Sequence, residues 1–193
     1  MAIARLAIAI WGVGSTLSSQ PQAQQVPPHV HLVTTGGTIA NARGGRLTAE
    51  KLSASLPGIS RIARLTYEEF ANVPSARLTL AQWLQLAQRI NELLVADSTF
   101  CGIVVTSGTD TMEELAFFLH LTVRDERPVV LVGAMRRPHW LGYEGTANLF
   151  EAIRVAASPA APGRGVLVVM NDEINSARDV TKTDAHRVQT FRA

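Results

Sequence analysis

Short apolar runs rich in β-branched residues, at about 30–34, 102–106, 128–134 and 165–171, alternate with segments in which apolar residues recur every three or four positions. The runs read as strands buried on both faces, and the periodic segments as helices that cover them. From about Thr79 to Ala96, the side chains of Leu80, Trp83, Leu84, Ala87, Ile90, Leu93 and Leu94 share one helical face. A second helix is expected to open at Asp110 or Thr111, where Thr111 and Glu114 have capping-box spacing, and to run through Leu115, Phe118 and Leu119. A third spans about Gly145 to Ala157. Strand and helix in alternation specify parallel βαβ units with right-handed crossovers. The expected fold is therefore α/β, a doubly wound, mostly parallel sheet with flanking helices. The segment Ser158-Pro159-Ala160-Ala161-Pro162-Gly163 is a turn-rich link into the last strand, too short for a domain boundary.

The N-terminus breaks this pattern. Arg5 precedes an apolar stretch from Leu6 to Val13, and Ser/Gln/Pro-rich sequence follows to about Ala23-Gln24-Gln25. That order is the order of a secretory signal peptide, and the apolar stretch is too short to span a bilayer. Residues 1–24 are expected to be signal peptide and linker, with 25–193 a single domain of a periplasmic or secreted protein that makes no membrane contact once the signal is removed. Apolar residues make up 47% of the chain and charged residues 18%, ordinary values for a globular protein, so disorder is not expected. The net charge of +2 comes from scattered arginines rather than a basic run, and no nucleic acid partner is expected. Cys101 is the only cysteine, which rules out an intrachain disulfide, and its place at the start of an apolar run predicts a small buried hydrophobe.

Chemistry concentrates just after two of the strands. Thr34-Thr35-Gly36-Gly37-Thr38-Ile39-Ala40 follows His31-Leu32-Val33, and Thr106-Ser107-Gly108-Thr109-Asp110-Thr111 follows Gly102-Ile103-Val104-Val105. Both place hydroxyls and glycines where open α/β sheets keep their active sites. Asp179-Val180-Thr181-Lys182-Thr183 adds an amine as base candidate. No glycine-rich dinucleotide or phosphate loop is present. His29 and His31 face one side of a strand without a third ligand at a motif spacing, so neither metal nor other cofactor is expected.

These segments, in this order and spacing, resemble the bacterial-type L-asparaginase family from about His29 onward. Arg127-Pro128-Val129-Val130-Leu131-Val132-Gly133-Ala134-Met135-Arg136 and Gly165-Val166-Leu167-Val168-Val169-Met170-Asn171-Asp172 support the same resemblance. It implies that Thr38 is a nucleophile attacking the side-chain amide of L-asparagine, releasing ammonia and leaving an acyl-enzyme for water to cleave, with L-glutamine as a possible second substrate. It implies a cluster of Thr109, Asp110 and Lys182 opposite Thr38, with Lys182 the base, Asp110 on the substrate α-ammonium group, and Ser75 on the α-carboxylate. The blander readings are a capping role for Thr38, a helix N-cap at Asp110 that is compatible with the first role, a surface Lys182 and a turn at Ser75. Thr34 and Thr35 are expected to be structural. The family also implies a homo-oligomer, commonly a tetramer, whose sites are completed by a smaller C-terminal domain of a neighbouring subunit that this chain lacks.

The chain departs from the family pattern in two places. The position after Ser75 is usually glutamine and here is Ala76. The loop after the first strand usually carries a tyrosine that activates the first threonine; here it is the short Asn41-Ala42-Arg43-Gly44-Gly45-Arg46. Tyr67 and Tyr143 are the only tyrosines and neither matches by position. Arg43 or Arg46 is placed to close over an anionic substrate, or else to decorate a solvated hairpin tip. The rival to an enzyme is thus an inactive truncated fragment of the family that binds a small molecule or serves assembly.

Overall fold

The computed structural model describes residues 26–193, so the expected signal peptide lies outside the described residues. The chain builds β1 (His29–Gly36), a small hairpin of β2 (Asn41–Ala42) and β3 (Gly45–Arg46), α1 (Ala49–Ala54), β4 (Arg64–Val73) and α2 (Leu80–Ala96). There follow β5 (Phe100–Thr106), α3 (Met112–Thr122), β6 (Val129–Val132), α4 (Gly145–Ala156), β7 (Val166–Met170), β8 (Glu173–Ser176), β9 (Thr181–Lys182) and β10 (Phe191–Arg192).

Six strands form one sheet in the order β4-β1-β5-β6-β7-β8. All pair in parallel except β8, which folds back antiparallel on β7. The sheet is doubly wound: the chain leaves β1 to β4 on one side, then crosses to β5 and continues outward. The strand order therefore reverses between β1 and β5, and a crevice opens at their carboxyl ends. Both Thr/Gly turns emerge there.

Alternation along the central strands divides two cores. On β7, Val166, Val168 and Met170 face α3 and belong to the core that holds Leu86, Ile90 and Leu94 of α2 and Met112, Leu115 and Leu119 of α3. Leu167 and Val169 face the other layer, with Leu149, Ala152, Ile153 and Ala156 of α4 and Leu52 of α1. Such two-sided burial explains why these strands read as unbroken apolar runs.

Two local expectations need correction. The capping box lies on α2, where the Thr79 hydroxyl accepts from Gln82 N at 3.3 Å and the Gln82 side chain accepts from Thr79 N at 3.0 Å. At α3 the N-cap Thr111 makes no side-chain cap bond, because its backbone, at φ −131° and ψ 27°, leaves the extended geometry that capping requires. Cys101 is half-buried rather than buried, because β5 begins at the margin of the sheet.

Candidate active site

Gly37 explains how the first turn is made. It has φ 84° and ψ −172°, a conformation that is essentially reserved for glycine. Its N–H donates to Val73 O at 3.0 Å, which ties the end of β1 to the end of β4. Thr38 then opens a single 3-10 turn, Thr38–Ala40, and is half-buried above the buried Ile39 and Ala40. Thr35 is structural as expected: its hydroxyl donates to Thr106 O at 2.8 Å and stitches β1 to β5.

The second turn packs directly on the first. A Cβ added at Gly37 would lie 2.3 Å from Gly108 N and 2.5 Å from Gly108 Cα, so the two backbones touch only because Gly37 lacks a side chain. Gly108 is equally close to Ser75: a Cβ there would lie 2.7 Å from the Ser75 hydroxyl oxygen. Ser75 is 2% exposed and begins a 3-10 turn after β4. Its hydroxyl is buried and has no hydrogen-bond partner among the described residues.

Lys182 reaches the second turn from β9. Its Nζ donates to the Thr109 hydroxyl at 2.9 Å and to Asp110 Oδ1 at 3.1 Å. Thr109 is 6% exposed and the Lys182 side chain 15%, so the ammonium stem runs through protein, while the Asp110 side chain is 70% exposed and looks outward. Lys182 is therefore not a surface residue, and the N-cap of α3 is Thr111 rather than Asp110. Beside it, Asp110, Lys182, Thr183, Asp184 and Ala185 line a cavity of about 240 Å³. Two larger clefts of about 440 Å³ lie elsewhere, one lined by Val155, Leu167 and Ile174, the other by Glu68, Arg89 and Glu92.

Several contacts at the site could not be read from the sequence. The Glu113 carboxylate, in the first turn of α3, accepts from the Lys182 backbone N–H and from the Thr181 hydroxyl at 3.0 Å, and so fixes the strand that presents the lysine. Arg46 at the end of the hairpin donates to Gly37 O at 3.2 Å, and Tyr143 donates to Ile39 O at 3.1 Å. Burial pushes the Tyr143 phenol up to about 12, so it remains a donor throughout the neutral range. Arg43 is exposed at the hairpin tip, and Tyr67 is largely exposed on β4. His29 and His31 are buried and share the Thr66 hydroxyl, at 3.0 and 2.7 Å. Among the described residues no group of three or more His, Cys, Asp or Glu is placed to hold a metal ion.

The switch-point crevice is thus lined by two abutting Thr/Gly turns, with a lysine bonded to the second threonine. Residues 29–193 match the family model described as Asparaginase, N-terminal, and the chain belongs to that family. It is 43% identical over 176 residues to L-asparaginase 2 of Bacillus subtilis (strain 168), covering 86% of this chain and 47% of that one. It is 39% identical over 201 residues to a probable periplasmic L-asparaginase of Haemophilus influenzae, covering 99% of this chain and 56% of the relative. Among solved structures, a probable cytoplasmic L-asparaginase from Campylobacter jejuni superposes with a TM-score of 0.79 at 38% identity, over 84% of this chain and 52% of that one. The chain spans about half the length of the curated relatives it matches.

Proposed function

We infer that this chain carries the nucleophile-bearing half of an L-asparagine amidohydrolase, with L-glutamine as a second substrate. The contact of Gly37 with Gly108 carries the reading, because it brings Thr38 and the Thr109–Lys182 pair to one crevice. The Thr38 oxygen attacks the substrate carboxamide carbon, and its proton passes by way of the Thr109 hydroxyl to Lys182 Nζ, which acts in its uncharged amine form. The pair returns a proton to the leaving nitrogen as the C–N bond breaks and ammonia departs. Water then adds to the resulting ester carbon, again giving its proton to the pair, and aspartate is released with Thr38 restored. Ser75 receives the α-carboxylate on its unpartnered hydroxyl, and the outward Asp110 carboxylate receives the α-ammonium group.

The resemblance also supports a homo-oligomer, a tetramer in the family, in which a neighbouring subunit closes the exposed side of the site at Asp110. Export to the periplasm is supported by the order of charge, apolar core and polar linker in residues 1–24. Ala76 favours one competing reading, an inactive binding fragment, since a family contact to substrate is lost there. Ammonia release from asparagine separates the two. Turnover that vanishes in Thr38→Ala establishes the enzyme, whereas asparagine binding without ammonia release establishes the fragment.

A further inference from the structure

Beyond the roles above, and resting on the reading of Thr38 as nucleophile, we propose that Arg46 and Tyr143 are positioning residues that clamp the backbone on either side of Thr38. The carbonyl before Thr38, that of Gly37, accepts from the Arg46 guanidinium at 3.2 Å, and the carbonyl after it, that of Ile39, accepts from the Tyr143 phenol at 3.1 Å. The turn needs such support. Gly36 and Gly37 sit at φ 103° and 84°, so the nucleophile follows the two most permissive residues of the strand end, where torsional freedom would blur its aim.

Each arm of the clamp is itself anchored. Arg46 pairs with Asn41 across the hairpin, Leu47 N donates to Ala40 O at 2.7 Å, and Asn72 Nδ2 holds Leu47 O at 3.3 Å. Tyr143 belongs to the segment between β6 and α4, whose ends are drawn together by the Glu144 carboxylate accepting from Met135 N–H. A Cβ at Gly145 would lie 2.3 Å from the phenol oxygen, so glycine there admits the ring. The phenol stays protonated because of its burial, which makes it a fixed donor rather than a proton acceptor. In a chain whose loop has no tyrosine, a rigid two-sided clamp does the aiming.

Hydrogen exchange at the Thr38–Asn41 amides and steady-state kinetics test the clamp in Arg46→Gln, Arg46→Lys, Tyr143→Phe and the Arg46→Gln/Tyr143→Phe double variant. Loss of either hydrogen bond should speed exchange at these amides by about 3- to 10-fold while exchange in α2 and α3 is unchanged. kcat should fall about tenfold with KM within about twofold, and Arg46→Lys should recover part of the loss. Unchanged exchange and kcat in the double variant would overturn the proposal. So would a rise in KM at constant kcat, which would make Arg46 a substrate contact. Turnover that survives Thr38→Ala would overturn the nucleophile reading instead, and the exchange data would still decide whether the clamp exists.

Discussion

Replacing Lys182 with methionine separates catalysis from stability. Methionine retains the apolar stem of a side chain that is only 15% exposed, and removes an amine bonded to Thr109 at 2.9 Å and Asp110 at 3.1 Å. The ion pair contributes little to stability, since the Asp110 side chain is 70% exposed and solvent screens it, which leaves at most ~1 kcal/mol. The Thr109 hydroxyl, left without its donor in a 6% exposed residue, adds about 1 kcal/mol. For a chain of this size, a loss of about 1–2 kcal/mol lowers Tm by roughly 2–8 °C. Loss of a proton acceptor acting in the transition state should instead lower kcat by about 10²–10⁴. Ammonia release and a thermal melt on the same preparation give both numbers. A Lys182→Met protein with kcat within about threefold of the parent would refute the base assignment. A Tm fall large enough to unfold it at the assay temperature would show that Lys182 is chiefly structural.

Ser75→Ala should raise KM for asparagine by about tenfold and leave a simple amide such as propionamide unaffected, because the missing hydroxyl meets only the α-carboxylate; equal losses on both substrates would make Ser75 structural. Gly37→Ala should cost roughly 2–6 kcal/mol, from a side chain forced into a glycine-only conformation and from a Cβ 2.3 Å from Gly108 N, and a melt unchanged from the parent would contradict the contact. Burial holds His29 and His31 below the ordinary histidine value of 6.5, with Arg64 reinforcing the effect at His29 and Glu68 opposing it at His31. The unfolded chain then takes up protons that the folded chain refuses, so stability is full above about 6.5 and falls as pH drops through that value toward the lowered folded pKa values. Urea midpoints between pH 7.5 and 5.5 should show that slope, and a His29→Asn/His31→Asn variant that keeps the full slope would sink the explanation.

Strands buried on both faces were legible in the sequence because nothing polar interrupts them: β1, β5, β6 and β7 lie within a few residues of the expected runs. β4 was not, since an edge strand carrying Arg64, Tyr67, Glu68 and Glu69 shows neither an apolar run nor strict alternation, and its parallel partner β1 is far away in sequence. β8 escaped notice for a related reason: it is short, antiparallel and exposes Ile174. At the site, Thr38, Ser75, Thr109, Asp110 and Lys182 could be named through the family resemblance, and the structure brings Ser75, Thr109, Asp110 and Lys182 around the turn that presents Thr38. Glu113 and Tyr143 act through backbone atoms of residues distant in the chain, and such contacts leave no local pattern to read, whereas Arg46 was singled out for its place in the loop but not for the Gly37 carbonyl it holds.

The central claim is that Thr38 becomes covalently acylated. Rapid acid quenching of the protein during asparagine turnover, followed by peptide mass mapping, observes that intermediate directly. An aspartyl ester on the peptide containing Thr38, absent in Thr38→Ala and accumulating with ammonia release, is the predicted result. An ester on the Thr109 peptide, or steady ammonia release by the Thr38→Ala protein, would contradict the account.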